Sequence, residues 1–354
     1  MARRGPIGFD HFVAHALYAP GAGFYTGGGG AGRRRDFLTS PEVGPLFGQV
    51  LARALDDWWH ELGHPDPFTV VEVGAGPGTL ARSILAAGPG CAAALRLVLV
   101  EVAEVQWATH PAGVTSRADL PAPGELGPGP LVVMANELLD NLPFGLVELV
   151  QPGGVDGAPE GEPTWCEVMV EADPDDPERL VEAYAVLQPA RQGWCWGRAG
   201  RDAAVGSRMP VLAEATEWLG QALDLAAGGR VVAFDYTSTS TELSRRPWRE
   251  WLRTYAAHGR GGDPLDAPGT VDITCEVPVD QLGLMRRPDL DRTQADFLEA
   301  HGIEALVAEG RAAWERLGSA GGLAAIAARS RVHESKALLD PRGLGNFHVL
   351  EWIG

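Results

Sequence analysis

The stretch VVEVGAGPGTLARSIL, Val70–Leu85, decides the fold. A run of mostly β-branched residues, Thr69–Val73, leads into closely spaced glycines, and a segment with helical character follows. This order predicts a strand, a tight turn and a helix. In α/β proteins a nucleotide commonly rests at the N-terminus of such a helix, where backbone N–H groups are unpaired.

The spacing of the glycines indicates which nucleotide is bound. Gly74, Gly76 and Gly78 form G-x-G-x-G, whereas a dinucleotide fingerprint would place its third glycine at position 79, which is Thr79. Glu101 ends the next apolar run and is predicted to accept the ribose hydroxyls, as the equivalent acid does in dinucleotide folds. These residues favour an adenosine cofactor without a pyrophosphate. The alternative is a turn with a structural role only.

Further apolar runs predict the rest of the sheet. LRLVLVE ends at Glu101, PLVVMANE ends at Glu137, GRVVAFDY ends at Tyr236, and GNFHVLEWIG predicts a closing strand. Apolar runs separated by helix-length segments are typical of buried parallel strands in an α/β fold. Ligands bind at the carboxyl ends of such strands, which is where the polar residues of these runs fall.

The sequence between the strands predicts the domain organisation. Residues 9–62 have mainly helical patterns, residues 144–200 predict a β-meander between Gly/Pro/Glu-rich stretches, and residues 241–330 predict a largely helical lid. We therefore expect three parts: an N-terminal helical extension that covers the cofactor (1–64), the core with its lid (65–143 and 206–354), and an inserted β-rich segment (144–205).

The composition excludes several classes of partner. The net charge of −18 over 354 residues argues against nucleic acid, because phosphate binding needs a basic face. No run approaches the roughly 18 apolar residues of a membrane span, and MARRGPIGFDHF lacks an apolar signal core. These features predict a cytoplasmic protein. They also favour reduced cysteines, which lie far apart at Cys91, Cys166, Cys195 and Cys275.

The sequence contains the residue pattern of a zinc-protease motif, but the second histidine is not expected to lie on a helix. HELGH, His60–His64, matches H-E-x-x-H, which binds zinc when both histidines lie one turn apart on a helix. Pro65 follows the second histidine and disfavours a helical conformation there. We expect no metal site, and the pair His11 and His15 predicts a solvated helix face.

The stretch MANELLDNLPFG carries the candidate catalytic residues. Asn136 and Glu137 end an apolar strand, and Asp140 follows shortly. Carboxylates at a strand end can bind a cation, orient a nucleophile or take up a proton. For Asp140, stabilisation of a helix N-terminus is an equally good interpretation.

The chain resembles the MidA-type methyltransferases, the group that includes the arginine methyltransferase of mitochondrial complex I assembly. The likeness extends over nearly the whole chain, and several of its segments are specific to that family. It runs through ALYAPGAGFYTGGGGAGRRRDFLTSPEVGPLFGQ, VVEVGAGPGTLARSIL, ANELLDNLPF, VVAFDY, LRTYAAHGRGGDPLDAPGTVDITCEV, TQADFLEAHGI and LLDPRGLGNFHVL.

The resemblance implies a class I methyltransferase (Rossmann-like) sheet, S-adenosylmethionine as cofactor, and methylation of a protein arginine. A respiratory complex I subunit is the family's acceptor, and a homodimer is a further expectation. The resemblance assigns cofactor binding to Glu72, Gly74, Gly76, Gly78, Glu101, Asp36, Thr39 and Ser40. It assigns methyl transfer to Asn136 and Glu137, with Asp140 beside them, and the substrate side to His258, Asp272 and Thr274.

The chain departs from the family near the expected substrate entrance. Thr237 follows Asp235–Tyr236 where most relatives have glycine, and Leu138 and Leu139 replace aromatic residues. These departures concern the acceptor rather than the cofactor. Two alternatives to arginine methylation therefore stay open: methylation of a small molecule, and a non-catalytic assembly protein that keeps the cofactor fold.

Overall fold

The computed structural model describes residues 5–27, 39–256, 259–317 and 322–354. The strands are β1 (Ile7–Gly8), β2 (Phe68–Val73), β3 (Leu95–Val100), β4 (Thr115–Arg117), β5 (Val132–Asn136), β6 (Gly145–Val150), β7 (Thr164–Ala172), β8 (Leu180–Val186), β9 (Arg208–Val211), β10 (Arg230–Asp235), β11 (Thr237–Ser238), β12 (Leu252–Ala256), β13 (Gly259–Arg260), β14 (Asp272–Cys275), β15 (Val277–Pro278), β16 (Leu290–Thr293) and β17 (His348–Ile353).

The helices alternate with these strands through most of the chain. They are α1 (Phe9–Tyr18), α2 (Ser40–Val43), α3 (Pro45–Glu61), α4 (Thr79–Ala87), α5 (Pro189–Ala199), α6 (Ala213–Leu225), α7 (Ser240–Arg245), α8 (Trp248–Trp251), α9 (Val279–Leu282), α10 (Gln294–Ala300), α11 (Ile303–Leu317) and α12 (Leu323–Leu338). Short 3-10 helices cover Glu104–Thr109 and Leu344–Asn346. Among these described helices, none combines the length and apolarity that crossing a bilayer requires.

The chain divides into two compact units. The first unit comprises residues 1–30, 139–220 and 237–287, and the second comprises 31–138, 221–236 and 288–354. Both units are assembled from separate stretches of sequence, so each depends on long-range contacts. The three-part division expected from the sequence, with its covering and lid roles, stays a prediction.

The second unit contains the predicted parallel sheet. Its seven strands are ordered β16-β17-β10-β5-β2-β3-β4. Strands β10, β5, β2, β3 and β4 pair in parallel, whereas β17 pairs antiparallel with β10 and with β16. Every residue of β2 and β10 is buried, which explains why their sequences are continuous apolar runs without alternation. The prediction of these strands from apolar runs is confirmed.

Helix packing in the second unit depends on one glycine. Gly48 of α3 is buried against α4, and a Cβ at that position would lie 2.4 Å from Ser83 Cβ. A larger residue there would therefore force the two helices apart. The apolar face of α3, with Phe47, Leu51 and Trp58 fully or almost fully buried, contributes to the core of this unit.

The first unit contains the β-rich segment. Strands β1, β7, β6 and β9 form an antiparallel path, and β8 pairs with β7. The meander prediction is confirmed for β6, β7 and β8, but β1 comes from the N-terminus. The GWCWG segment, predicted as part of the meander, instead lies in α5. Cys195 and Ala199 are its buried residues, four positions apart, and Pro189 stands in its first turn.

The helical prediction for residues 241–330 is wrong between Leu252 and Pro278. This stretch contains β12, β13, β14 and β15, and three of these strands form a small sheet in the order β13-β12-β14. Strands of two to five residues are too short to show a periodicity, and they are stabilised by pairing with one another or, for β15, with β11. All four cysteines are buried and free.

Candidate functional site

The glycine loop joins β2 to α4 in the second unit. Gly74, Gly76 and Gly78 have φ values of 71°, 51° and 73°, a region that other residues rarely adopt. A Cβ on Gly74 would lie 3.1 Å from Leu138 Cδ1, and one on Gly78 would lie 3.1 Å from His110 Cδ2. A Cβ on Gly76 would meet nothing nearer than a side-chain oxygen at 3.8 Å. The loop therefore packs tightly at both ends and is open at its middle glycine.

Glu101 holds the glycine loop in place. Its Oε2 accepts a hydrogen bond from Gly76 N at 2.9 Å, and its Oε1 accepts one from Ala103 N at 2.7 Å. The side chain is buried, and burial raises the pKa of Glu101 while the two backbone N–H groups lower it. Glu101 thus orders the loop, and each carboxylate oxygen keeps a lone pair that can accept from a ribose hydroxyl.

Sequence analysis missed His110, which also holds the loop. Its Nε2 lies 2.8 Å from Gly76 O and its Nδ1 lies 2.7 Å from Ser116 Oγ. A carbonyl can only accept, so Nε2 carries the hydrogen and Nδ1 accepts from the serine hydroxyl in the neutral ring. His110 follows Gly76 by 34 positions, and no motif links the two residues.

Three buried polar atoms near the strand ends have no hydrogen-bond partner among the described residues. They are Glu72 Oε2, Gln106 Oε1 and Asn136 Oδ1. Burying an acceptor without a partner destabilises a protein, so such atoms commonly mark the position of a ligand or water. Burial raises the pKa of Glu72 to about 8; Arg82 opposes this effect, and Glu101 adds to it. The Glu72 carboxyl is therefore mostly protonated at neutral pH.

Glu137 directly follows β5 and has an unusual backbone. Its φ is 51°, in the left-handed region, which for a residue other than glycine is strained and is frequent at functional sites. Its Oε1 accepts hydrogen bonds from Asn136 Nδ2 at 3.1 Å and from Ser40 N at 3.1 Å. Ser40 Oγ donates to Gln294 Oε1 at 2.9 Å. The carboxylate is therefore held in one orientation.

The predicted substrate residues Asp272 and Thr274 lie together in the first unit, and Asp140 lies with them. Thr274 Oγ1 donates to Asp140 Oδ2 at 2.5 Å, and Asp272 Oδ1 accepts from Tyr25 Oη at 3.1 Å and from Asn141 Nδ2 at 3.0 Å. Burial, with the nearby Asp140 charge, raises the pKa of Asp272 to about 7. Sequence analysis did not assign Tyr25, although it lies in one of the quoted family segments.

Of the remaining predicted site residues, the structure describes Thr39. Thr39 is buried and is the residue before the first turn of α2. Asp36 and His258 lie outside the described residues.

The HELGH motif does not have the geometry of a zinc helix. Helix α3 ends at Glu61, and His64 has a φ of 59°, so the second histidine lies beyond the helix as expected from Pro65. The rings of His60 and His64 contact each other edge to face. Within the described ranges, no group of three or more His, Cys, Asp or Glu side chains could hold a metal ion.

An apolar cavity of about 430 Å³ in the first unit contains none of the predicted site residues. Trp194, Cys195, Val211 and Leu212 are part of its lining. Because its walls carry few polar groups, it offers little to orient a substrate.

Comparison with known proteins identifies the family. A model of a family of S-adenosyl-L-methionine-dependent methyltransferases matches residues 50–293, which is more than half of the chain. The chain belongs to this methyltransferase family. The predictions of a class I methyltransferase fold and of S-adenosylmethionine as cofactor are confirmed.

Individual relatives agree with the family. The human protein arginine methyltransferase NDUFAF7, a mitochondrial protein, is 26% identical over 334 residues, which cover 85% of this chain and 71% of that protein. A Drosophila melanogaster homologue of the same name is 42% identical over 81 residues, and this match spans only 18% of its length. A Burkholderia thailandensis protein, solved bound to S-adenosyl-homocysteine, superposes with a TM-score of 0.79 at 26% identity, covering 100% of this chain and 89% of that one.

These relatives contradict the predicted cytoplasmic location, because the NDUFAF7 proteins are named as mitochondrial. The prediction relied on the lack of an apolar signal core. That feature does not assign the protein to one compartment.

The residues of this methyltransferase fit its cofactor. S-adenosylmethionine presents hydrogen-bond donors on its amino group, its ribose and its adenine. The side chains around the glycine loop present acceptors, two of which, Glu72 Oε2 and Gln106 Oε1, have no partner among the described residues. The open face of Gly76 leaves room for a ligand where a side chain would stand. We therefore expect Glu72, Gly76 and Glu101 to lie at the cofactor.

We expect Glu72 to make stability depend on pH. Its folded pKa of about 8 lies above the ordinary value of 4.5, so its contribution is fully present below pH 4.5 and is lost as pH rises toward 8. The slope for one such group approaches about 1.4 kcal/mol per pH unit. Urea unfolding of the cofactor-free protein between pH 5 and 8 should give a flatter profile for Glu72→Gln than for wild type. Parallel profiles for the two proteins would contradict a raised pKa of Glu72 in the folded state.

Proposed function

We propose that this methyltransferase transfers a methyl group to an arginine side chain of a partner protein. The observation that carries the proposal is the fixed carboxylate of Glu137. The turn that contains it packs against the glycine loop, since Leu138 Cδ1 lies 3.1 Å from the position of a Cβ on Gly74. A carboxylate oriented beside a cofactor loop suits a cationic acceptor.

The chemistry of arginine agrees with a carboxylate in this position. A guanidinium has a pKa above about 12, so no carboxylate fully deprotonates it in advance. Its N–H groups form strong, charge-assisted hydrogen bonds to a carboxylate. Glu137 Oε1 already accepts two hydrogen bonds, so we expect the guanidinium to donate mainly to Glu137 Oε2. Asn136 Oδ1, which lacks a partner among the described residues, is a further acceptor next to Glu137.

Positioning accounts for most of the expected catalysis. Bound S-adenosylmethionine supplies an electrophilic methyl group on a positively charged sulfur. Glu137 binds the guanidinium, directs one nitrogen toward that methyl group, and accepts a proton late in the transfer. The hydrogen bonds from Ser40 N and Asn136 Nδ2 keep Glu137 in one orientation, so its side chain loses little conformational entropy when the acceptor binds.

The relatives support a protein arginine as the acceptor only through their names. The NDUFAF7 proteins are named protein arginine methyltransferases, and the mammalian ones are about a quarter identical to this chain. Within the first unit, Asp272 and Thr274, which the family resemblance assigns to the substrate side, are hydrogen-bonded to Tyr25 and Asp140.

Transfer of a tritiated methyl group tests the proposal. The purified protein is incubated with labelled S-adenosylmethionine and a protein extract, and the protein fraction is hydrolysed in acid. We expect the label in methylarginine and its loss with Glu137→Gln. Label in the small-molecule fraction would instead identify a small-molecule methyltransferase. Cofactor binding with no label in any fraction would identify a non-catalytic assembly protein.

A further inference from the structure

We propose that Gln106 binds the ribose of the cofactor together with Glu101. The proposal concerns the cofactor alone and does not depend on which acceptor is methylated. Gln106 lies in the 3-10 helix Glu104–Thr109, which follows β3. Its side-chain oxygen is buried and has no hydrogen-bond partner among the described residues, and the residue as a whole is only 9% exposed.

The position of Gln106 points to the cofactor. Its Oε1 is the atom that lies 3.8 Å from the place where a Cβ on Gly76 would stand, so it borders the open face of the loop. Gly76 N is also the donor to Glu101 Oε2. The amide of Gln106 and the carboxylate of Glu101 therefore both lie beside Gly76.

Glu101 offers a ribose only one remaining lone pair on each carboxylate oxygen. Each of its carboxylate oxygens already accepts one backbone N–H, from Gly76 and from Ala103. These bonds fix the carboxylate and reduce its capacity for the two adjacent hydroxyls of a ribose. A second acceptor beside Glu101 would add a hydrogen bond to the ribose, and Gln106 Oε1 is a buried acceptor in this region with no partner among the described residues.

The amide of Gln106 is chemically suited to a ribose hydroxyl. A hydroxyl donates to the amide oxygen or accepts from the amide nitrogen, so it satisfies either end of Gln106. An amino group of adenine pairs only with the oxygen. The ring nitrogens of adenine can accept from the amide nitrogen, so the choice of ribose depends on the position of Gln106 beside Gly76 and Glu101.

The surrounding backbone holds Gln106 in place before a ligand binds. Gln106 N donates to Ala103 O at 2.8 Å, and Gln106 O accepts from Thr109 Oγ1 at 2.7 Å. Trp107 Nε1 donates to Glu101 O at 2.9 Å, which joins this helix to the end of β3. These bonds fix the backbone of Gln106, and so limit the positions that its side chain can take before the ribose binds.

Calorimetry with S-adenosylhomocysteine and its 2′-deoxy and 3′-deoxy analogues tests the assignment. We expect Gln106→Leu to weaken binding of S-adenosylhomocysteine about fivefold to tenfold, the effect of one hydrogen bond to a neutral group. One of the deoxy analogues should bind wild type and Gln106→Leu equally, because it lacks the hydroxyl in question. Gln106→Glu, which keeps an acceptor, should retain sensitivity to that hydroxyl.

Stability of the cofactor-free protein provides a second measurement. Gln106→Leu removes a buried amide oxygen that has no partner among the described residues, so its melting temperature should equal or exceed that of wild type. Equal weakening for all three ligands, together with a lower melting temperature, would show a packing role and overturn the proposal. Unchanged binding would also overturn it. A loss that persists with both deoxy analogues but disappears with S-inosylhomocysteine would assign the contact to adenine instead.

Discussion

Glu137→Gln is expected to slow methyl transfer by about tenfold to a hundredfold while leaving cofactor affinity nearly unchanged. The substitution keeps the size and one acceptor of the side chain but removes its charge and its two-oxygen geometry. Hydrogen bonds to charged groups contribute about 1.5–3 kcal/mol, which corresponds to this loss of rate. Single-turnover rates on the identified acceptor, with calorimetry of S-adenosylhomocysteine, measure the two quantities separately.

A matched variant and a clear alternative make this experiment decisive. Glu299→Gln makes the same chemical change at an exposed position of α10 and should leave the rate unchanged. If Glu137 only supports the fold, its substitution should instead lower the melting temperature and weaken cofactor binding together. Equal transfer rates for wild type and Glu137→Gln would remove Glu137 from the mechanism and leave the arginine assignment to family resemblance.

Gly76→Val is expected to abolish cofactor binding. A valine at a φ of 51° is strained, and its branched side chain would occupy the open face of the loop. Titration calorimetry with S-adenosylhomocysteine should show no binding. NAD should not bind either protein, because the loop lacks the third glycine of the dinucleotide fingerprint.

Gly88→Val separates the strain of this substitution from its effect on the site. Gly88 has a φ of 65°, lies at the far end of α4, and leaves open space where a Cβ would stand, with no atom within 4 Å. Its substitution should cost similar backbone strain and reduce stability without affecting cofactor binding. If both variants lose binding equally, the loss at Gly76 reflects general destabilisation.

The predictable part of the fold is the buried parallel sheet. Its central strands read as apolar runs because both faces are covered, and the glycine loop follows the first of them directly. The helix α5 was missed because its GWCWG segment was included in the predicted meander, although Pro189 and the four-residue spacing of Cys195 and Ala199 are helix signals. The short strands between Leu252 and Pro278 were missed because their partners, not their composition, determine them.

The same distinction applies to the site. Glu101 and Asn136–Glu137 could be predicted because chain order alone places them at strand ends. The contacts that fix them could not, because they join residues distant in sequence. Ser40 and Glu137 are 97 positions apart, and Tyr25 and Asp272 are 247 apart. No local pattern of residue types carries that information.

The bond from Ser40 N to Glu137 has a consequence for how related chains can vary. Because its donor is a main-chain N–H, every residue type except proline supplies it at position 40. The identity of that residue is therefore a poor guide to whether the bond is made. What relatives need to share is the path of the chain into α2. An insertion or deletion before this position would disturb that path, whereas most substitutions at the position itself would leave the donor in place.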